Sequence, residues 1–194
     1  MEESEKSGGD HFYDLVYDAE RPELFFKSTF QRARGHLDKV CIRSDSDWDV
    51  PEPELTLAIN TSGSIFGYTI GNDMSSRSIE GENPLYLPQA KIYRGSCAIG
   101  PCLVVGDVVN DSTEISVAIE RSGAEVFSGS TSVSQIKRGF EELAGFLFRD
   151  NEFPSGAYLM TGTGVVPESD FTLQPGDQVT IEISGIGRLV NTIE

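Results

Sequence analysis

Pro51-Glu52-Pro53-Glu54-Leu55-Thr56-Leu57-Ala58-Ile59, then Asn60-Thr61-Ser62-Gly63-Ser64, then Ile65-Phe66-Gly67-Tyr68-Thr69-Ile70-Gly71-Asn72-Asp73 read together as a β-hairpin with an acidic open end. Alternate residues of a strand share a face, so Glu52 and Glu54 aim their carboxylates the same way. Leu55 to Ile59 continues that strand, Asn60 to Gly63 has turn composition, and Ile65 to Ile70 returns. Closure near Asn60 and Ser64 sets Asp73 opposite Glu52, within one residue. Three carboxylates then meet at one end of the hairpin, which is the composition of a hard-cation site. Paired acids on a strand otherwise form a solvated face. The two prolines count against an ordinary central strand, because proline is confined to edges and bulges.

Outward from the hairpin, the pattern is mostly short strands: near Ala98–Val105, Glu114–Glu120, Ala124–Ser128, Ala157–Thr161, Gln178–Ile183 and Gly187–Thr192. Asn110-Asp111 and Gly176-Asp177 punctuate them. One long helix is expected near 135–150, capped by Ser134, with Ile136, Phe140, Leu143 and Leu147 at helical spacing for the core. The expected architecture is mainly β (α+β), a rolled or sandwiched sheet with that single long helix. Residues 1–20 read as a polar, loosely ordered segment, docked by Phe12, Leu15 and Val16, and residues 21–194 as one domain.

Composition excludes several functions. With 31 acidic and 15 basic residues the formal net charge is −16, spread along the whole chain rather than gathered in a tail. No basic stripe is present to displace counterions from phosphates, so no nucleic-acid partner is expected. The diffuse acidity reads as adaptation to a salty, halophilic cytoplasm, where salt screens self-repulsion. No apolar run reaches the ~20 residues of a membrane span and the first ten residues are not a signal peptide, so no membrane role is expected. Three cysteines without a C-x-x-C spacing read as reduced thiols in a cytoplasmic protein, and two histidines all but exclude a histidine-built metal site.

The segments Phe25-Phe26-Lys27, Pro51–Leu55, Gly67–Arg77, Pro84-Leu85-Tyr86-Leu87-Pro88-Gln89-Ala90-Lys91, Thr161-Gly162-Thr163-Gly164 and Gly185-Ile186-Gly187 together resemble the fumarylacetoacetate hydrolase family, in family order. The resemblance is strongest to the branch of 2-keto-3-deoxy-pentonate dehydratases acting on arabinonate or xylonate derivatives. It implies a fumarylacetoacetate hydrolase-like catalytic domain over 21–194. Glu52, Glu54 and Asp73 match the acidic triad that binds a divalent cation in that family. Three carboxylates with open positions suit Mg²⁺, which prefers oxygen at ~2.0–2.1 Å, with Mn²⁺ and Ca²⁺ as alternatives.

The same resemblance makes Lys91 the active-site lysine, in Gln-Ala-Lys. It places Phe26 and Lys27 in the pocket lining, and Thr161 and Thr163 in a turn that holds the substrate carboxylate. Arg77 and Gln89 are candidate substrate contacts or structural hydrogen-bonders. His36 falls where relatives carry a mobile lid and reads as a solvent-facing loop residue. Two departures stand out: Ser78 replaces an expected aspartate, and Tyr93-Arg94-Gly95 replaces Tyr-Asp-Arg. A shorter N-terminus than many relatives is expected to weaken oligomerisation or lid closure. The implied partner is a small 2-keto acid, and the implied assembly a homodimer or homotetramer.

The leading functional expectation is a Mg²⁺-dependent lyase acting through an enolate, dehydrating a 2-keto-3-deoxy-pentonate to 2-oxoglutarate semialdehyde. One alternative is carbon–carbon bond hydrolysis of the acylpyruvate or fumarylacetoacetate type. Another is isomerisation or decarboxylation of a keto-dioate. A catalytically impaired paralogue that binds metal or a keto acid is the alternative of another class, motivated by Ser78, Gly95 and the N-terminus.

Overall fold

The computed structural model describes residues 19–194, so the expected docking of Phe12, Leu15 and Val16 lies outside the described residues. The hairpin forms as its sequence requires. Strands β1 (Lys39–Val40) and β2 (Asp49–Val50) precede β3 (Pro53–Ile59), which pairs antiparallel with β4 (Ile65–Asp73). The turn closes through the Asn60 N–H donating to the Ser64 carbonyl at 3.0 Å, while the Asn60 side chain accepts from the Ser62 and Ser64 amides. A bulge at Ala58/Ile59 shifts the register by one residue. At the other end the Asp73 amide donates to the Glu52 carbonyl at 3.0 Å, which sets the two residues opposite each other.

The chain then adds β5 (Ser75–Ser76), helix α1 (Arg77–Glu82), a 3₁₀ turn (Pro84–Tyr86), helix α2 (Leu87–Lys91), β6 (Cys97–Val105), β7 (Glu114–Arg121) and β8 (Ala124–Ser132). Helix α3 (Phe140–Leu147) and strands β9 (Ala157–Met160), β10 (Gln178–Ile183) and β11 (Gly187–Ile193) complete it. Among the described residues the strands make a four-stranded sheet, β6-β4-β3-β9, a five-stranded sheet, β1-β11-β10-β7-β8, and the small pair β2-β5. β3 touches β7, and β4 touches β10 and β11, so the two large sheets pack face to face.

Between them lie Leu55, Leu57 and Ile70 from one sheet, and Ile115, Val117, Ile119, Ile181, Ile183 and Leu189 from the other. Each such side chain contributes about 1.5–3 kcal/mol by leaving water. β10 alternates buried and half-exposed positions, as a strand with one wet face does, whereas every residue of β3 is buried. Its Leu55 and Leu57 fill the core, while Glu52, Glu54 and Ala58 on the opposite face line a cleft.

The six strands read beyond the hairpin match β6 to β11 within a few residues at their ends. The long helix does not. Helix α3 has eight residues and its N-cap is Gly139, not Ser134. Val133–Gln135 form a 3₁₀ turn after which Ile136 is extended, and Ile136 still packs on the core from that linker. Proximity to the core supplied the apolar spacing there without a continuous helix. The short helices α1 and α2 were not expected, since five or six residues are too few for a periodic signal.

Candidate metal centre

The hairpin's register fixes the site. Glu52 and Glu54 lie on one face at the start of β3, and Asp73 ends β4 across from Glu52. All three carboxylates are buried, and one oxygen from each lies within 4.8 Å of the others. Carboxylates brought that close and out of water repel strongly unless cations stand among them. Three cations do.

Lys91 is delivered by topology. Asp73 pairs with Cys97 across β4 and β6, so residues 74–96 must leave and return within one strand spacing, about 4.8 Å. Helix α2 is the returning limb, and its last residue, Lys91, is buried against the triad. The Lys91 ammonium donates to Glu52 Oε2 at 2.7 Å and to the Ser75 hydroxyl at 2.6 Å, and stands 3.5 Å from Asp73 Oδ2. Arg77, at the start of α1, reaches Glu52 Oε1 at 2.9 Å. Lys27 pairs with Asp73, and its ammonium also donates to the carbonyls of Met74 (2.9 Å) and Lys91.

These contacts set the protonation states. Burial pushes Glu52 up, but Lys91 and Arg77 outweigh it and hold this carboxyl below its ordinary range. Lys91, though buried, is held well above the usual lysine range by Glu52 and Asp73. Burial raises Asp73, against the opposing pull of Lys91 and Lys27. Glu54 is pushed up to about 8 by burial, then by the charges of Asp73 and Glu52, despite accepting the Gly162 amide at 2.6 Å. A doubly charged cation among these oxygens would oppose that shift. The donor set, three carboxyl groups with no nitrogen or sulfur, fits a hard divalent cation.

The triad opens into a cleft of about 1510 Å³, whose lining includes Phe26, Lys27, Arg77, Lys91, Thr161 and Thr163. Phe26 stands on its rim with more than half its surface exposed. Thr161 continues from β9; its hydroxyl donates to the Leu55 carbonyl at 2.9 Å, and that of Thr163 to the Val165 carbonyl at 3.1 Å. Gln89 is exposed on α2, away from the cleft lining, and its backbone carbonyl accepts from Arg43 at 3.0 Å. A five-residue helix turns successive side chains about 100° apart, so Lys91 faces inward and Gln89 does not. His36 is exposed and its Nδ1 accepts the Val190 amide at 3.1 Å, which ties it to β11.

The two departures from the family pattern fall outside the cleft lining. The Ser78 hydroxyl shares a hydrogen bond of 3.0 Å with Ser46, and exposed Arg94 pairs with Glu194 at 3.5 Å. Gly95 has φ +69°, and a β-carbon there would come within 2.6 Å of Cys41 Sγ.

Three groups at the site escaped the sequence reading: Ser75, the Gly162 amide and Glu80. Ser75 and Gly162 sit inside motifs already quoted, but nothing in a sequence says which hydroxyl or amide turns inward. Glu80 lies three residues after Arg77, a spacing that puts the two on one helical face, and that was the available signal.

A buried tricarboxylate site in a rolled pair of β-sheets, with a lysine returned to it by a short helix, defines an acidic metal centre of enzyme type. The fumarylacetoacetate (FAA) hydrolase C-terminal family profile matches residues 15–194, and the chain belongs to that family. It is 50% identical over 193 residues to a probable 2-keto-3-deoxyxylonate dehydratase of Haloferax volcanii, covering 98% of this chain and 66% of that protein. It is 46% identical to the 2-dehydro-3-deoxy-D-arabinonate dehydratase of Saccharolobus solfataricus, covering 96% of this chain and 63% of the relative. A solved 2-keto-3-deoxy-D-arabinonate dehydratase complexed with magnesium and 2,5-dioxopentanoate superposes with a TM-score of 0.91 at 47% identity, covering 94% of this chain and 66% of that one. The chain thus spans just under two-thirds of the length of these relatives. None of the helices among the described residues is long and apolar enough to cross a membrane.

Proposed function

We propose that this chain carries the metal-dependent dehydratase site of a 2-keto-3-deoxy-pentonate lyase, forming 2-oxoglutarate semialdehyde, with Mg²⁺ as the cation. The observation that carries this reading is the buried triad Glu52, Glu54 and Asp73 with Lys91 Nζ 2.7 Å from Glu52. Similarity to two pentonate dehydratases supports the substrate class, and the relative solved with magnesium and 2,5-dioxopentanoate supports cation and product. When bound, the cation supplies Lewis acidity that makes the C3 protons of a 2-oxo acid removable.

The chain's own residues do the rest. Lys27, Arg77 and Lys91 stand among the carboxylates of Glu52, Asp73 and Glu80, so the triad is set in a wall of mixed charge. Lys91 and Arg77 fix the two oxygens of Glu52 and so orient this ligand. Thr161 and Thr163 give their hydroxyl protons to backbone carbonyls, so they shape the turn beside the site before they can serve the substrate. Phe26 offers an apolar edge at the mouth.

Association into a homodimer or homotetramer, a cytoplasmic location and a requirement for salt belong to the same proposal. The salt requirement rests on the net charge of −16. The positions of Ser78 and Arg94 outside the cleft lining weigh against the impaired-paralogue alternative.

The test is a turnover assay in high salt with Mg²⁺ against 2-keto-3-deoxy-pentonates, an acylpyruvate and oxaloacetate, with an EDTA control. Metal-dependent conversion of the deoxy-pentonate to semialdehyde is expected, and loss of turnover in Glu52→Gln. Cleavage of the acylpyruvate alone would move the function to hydrolase. Undiminished activity in metal-free buffer would refute the metal-centred reading.

A further inference from the structure

Glu80 is not one of the three triad carboxylates. It lies in the first turn of α1, lines the cleft, and its side chain is 18% exposed. Oε2 is buried without a hydrogen-bond partner. Its ion-pair partner Arg77 stands 3.8 Å away, too far for a hydrogen bond. It is also outside the group of carboxylates that can share a cation. An unsatisfied buried oxygen is costly, more so when charged, so its presence in a cleft wall calls for a partner that arrives with the ligand.

The titratable groups at the triad are otherwise engaged. Lys91 directs its protons at Glu52 and Ser75. Glu52, Glu54 and Asp73 are needed for the cation, and His36 is tied to β11 outside the cleft lining. Glu23 reaches the cleft lining but is exposed.

We propose that Glu80 is the proton-transfer group of this site, taking a C3 proton from a 2-keto-3-deoxy acid and returning it to the departing C4 hydroxyl. This rests on the dehydratase reading above. The C3–H bond breaks and its electron pair becomes the C3=C4 bond. The C4–O bond breaks, the oxygen keeps that pair, takes the proton from Glu80 and leaves as water. Glu80 begins and ends ionised, and no oxidant or reductant is consumed. The unsaturated product is an isomer of 2-oxoglutarate semialdehyde, which proton shifts alone complete. Burial raises the proton affinity of Glu80, with Lys91 and Arg77 opposing and Glu52 and Asp73 adding to it, which favours a base over a mere anion.

Pyruvate tests the first half-step by itself, because it has exchangeable C3 protons and no leaving group. In D₂O with Mg²⁺, the wild-type protein is expected to exchange the pyruvate methyl protons, read by NMR. Glu80→Gln should slow the exchange by about 100-fold or more, the usual worth of general acid–base catalysis. Mg²⁺ and oxalate affinities, read by calorimetry, should not change. Glu80→Ala should regain exchange when formate is added. Exchange at the wild-type rate in Glu80→Gln overturns the assignment while leaving the dehydratase reading intact. Loss of exchange together with loss of Mg²⁺ or oxalate binding overturns it in favour of a structural role. Absence of both exchange and dehydration in the wild type refutes the proposed function itself, and this assignment with it.

Discussion

Removing the Lys91 ammonium isolates the electrostatic logic of the site. Lys91→Met keeps the length of the side chain but leaves Glu52 Oε2 without its 2.7 Å partner, Asp73 Oδ2 without its 3.5 Å one, and the Ser75 hydroxyl without its donor. At an effective dielectric of ~20 the two lost attractions are about 6 and about 5 kcal/mol gross. The cost of keeping an ammonium out of water, several kcal/mol, offsets part of that. The net loss expected when one partner of a buried pair is removed is about 3–5 kcal/mol. In a chain of this size that lowers Tm by roughly 6–20 °C. A divalent cation among the same carboxylates replaces the missing charge, so Mg²⁺ should recover much of the loss. The assay is a thermal melt of both proteins in EDTA and in excess Mg²⁺. The expected result is a larger Mg²⁺-induced rise in Tm for Lys91→Met than for the wild type. An equal or smaller rise would refute the account, since it would mean that Lys91 and the cation do not neutralise the same carboxylates.

Glu54 predicts a pH dependence with a definite sign. Its value in the fold, about 8, lies above the ordinary 4.5, so the cation-free fold binds more protons than the unfolded chain between those limits. The stability it contributes is full below about 4.5 and is lost as pH rises through about 8; Asp73, also raised by burial, acts in the same direction. Melts of the EDTA-treated protein should show that decline, and Glu54→Gln should flatten it. Below about 8 the cation must displace the Glu54 proton, so calorimetric Mg²⁺ affinity should fall about tenfold per unit as pH drops. Gly95→Ala should destabilise by about 1–3 kcal/mol in denaturant melts, because φ is +69° and the new carbon meets Cys41 Sγ at 2.6 Å. Raising salt from about 0.1 M to about 1 M shortens the screening length from about 10 Å to about 3 Å, and Tm should climb in a protein of net charge −16. A flat Tm over that range would remove the case for salt adaptation.

The sequence alone determined the long strands and the meeting of three carboxylates, because both are local. Strand periodicity puts Glu52 and Glu54 on one face, and a single turn near Asn60 and Ser64 sets Asp73 against Glu52 whatever surrounds the hairpin. Lys91 was legible through its motif, although its route to the triad was not. The tertiary structure decided what depends on distant segments meeting. It broke the expected helix at Ile136 and shortened it to eight residues, since packing on the core rewards an apolar spacing in an extended linker as well as in a helix. It turned Lys91 inward and Gln89 outward on one short helix, committed the Thr161 and Thr163 hydroxyls to backbone carbonyls, and brought the Gly162 amide to Glu54 from 108 residues away. It also left Glu80 unsatisfied in the cleft wall beside a paired Arg77. Burial and the direction of a side chain follow from the whole chain's packing, and no window of sequence contains them.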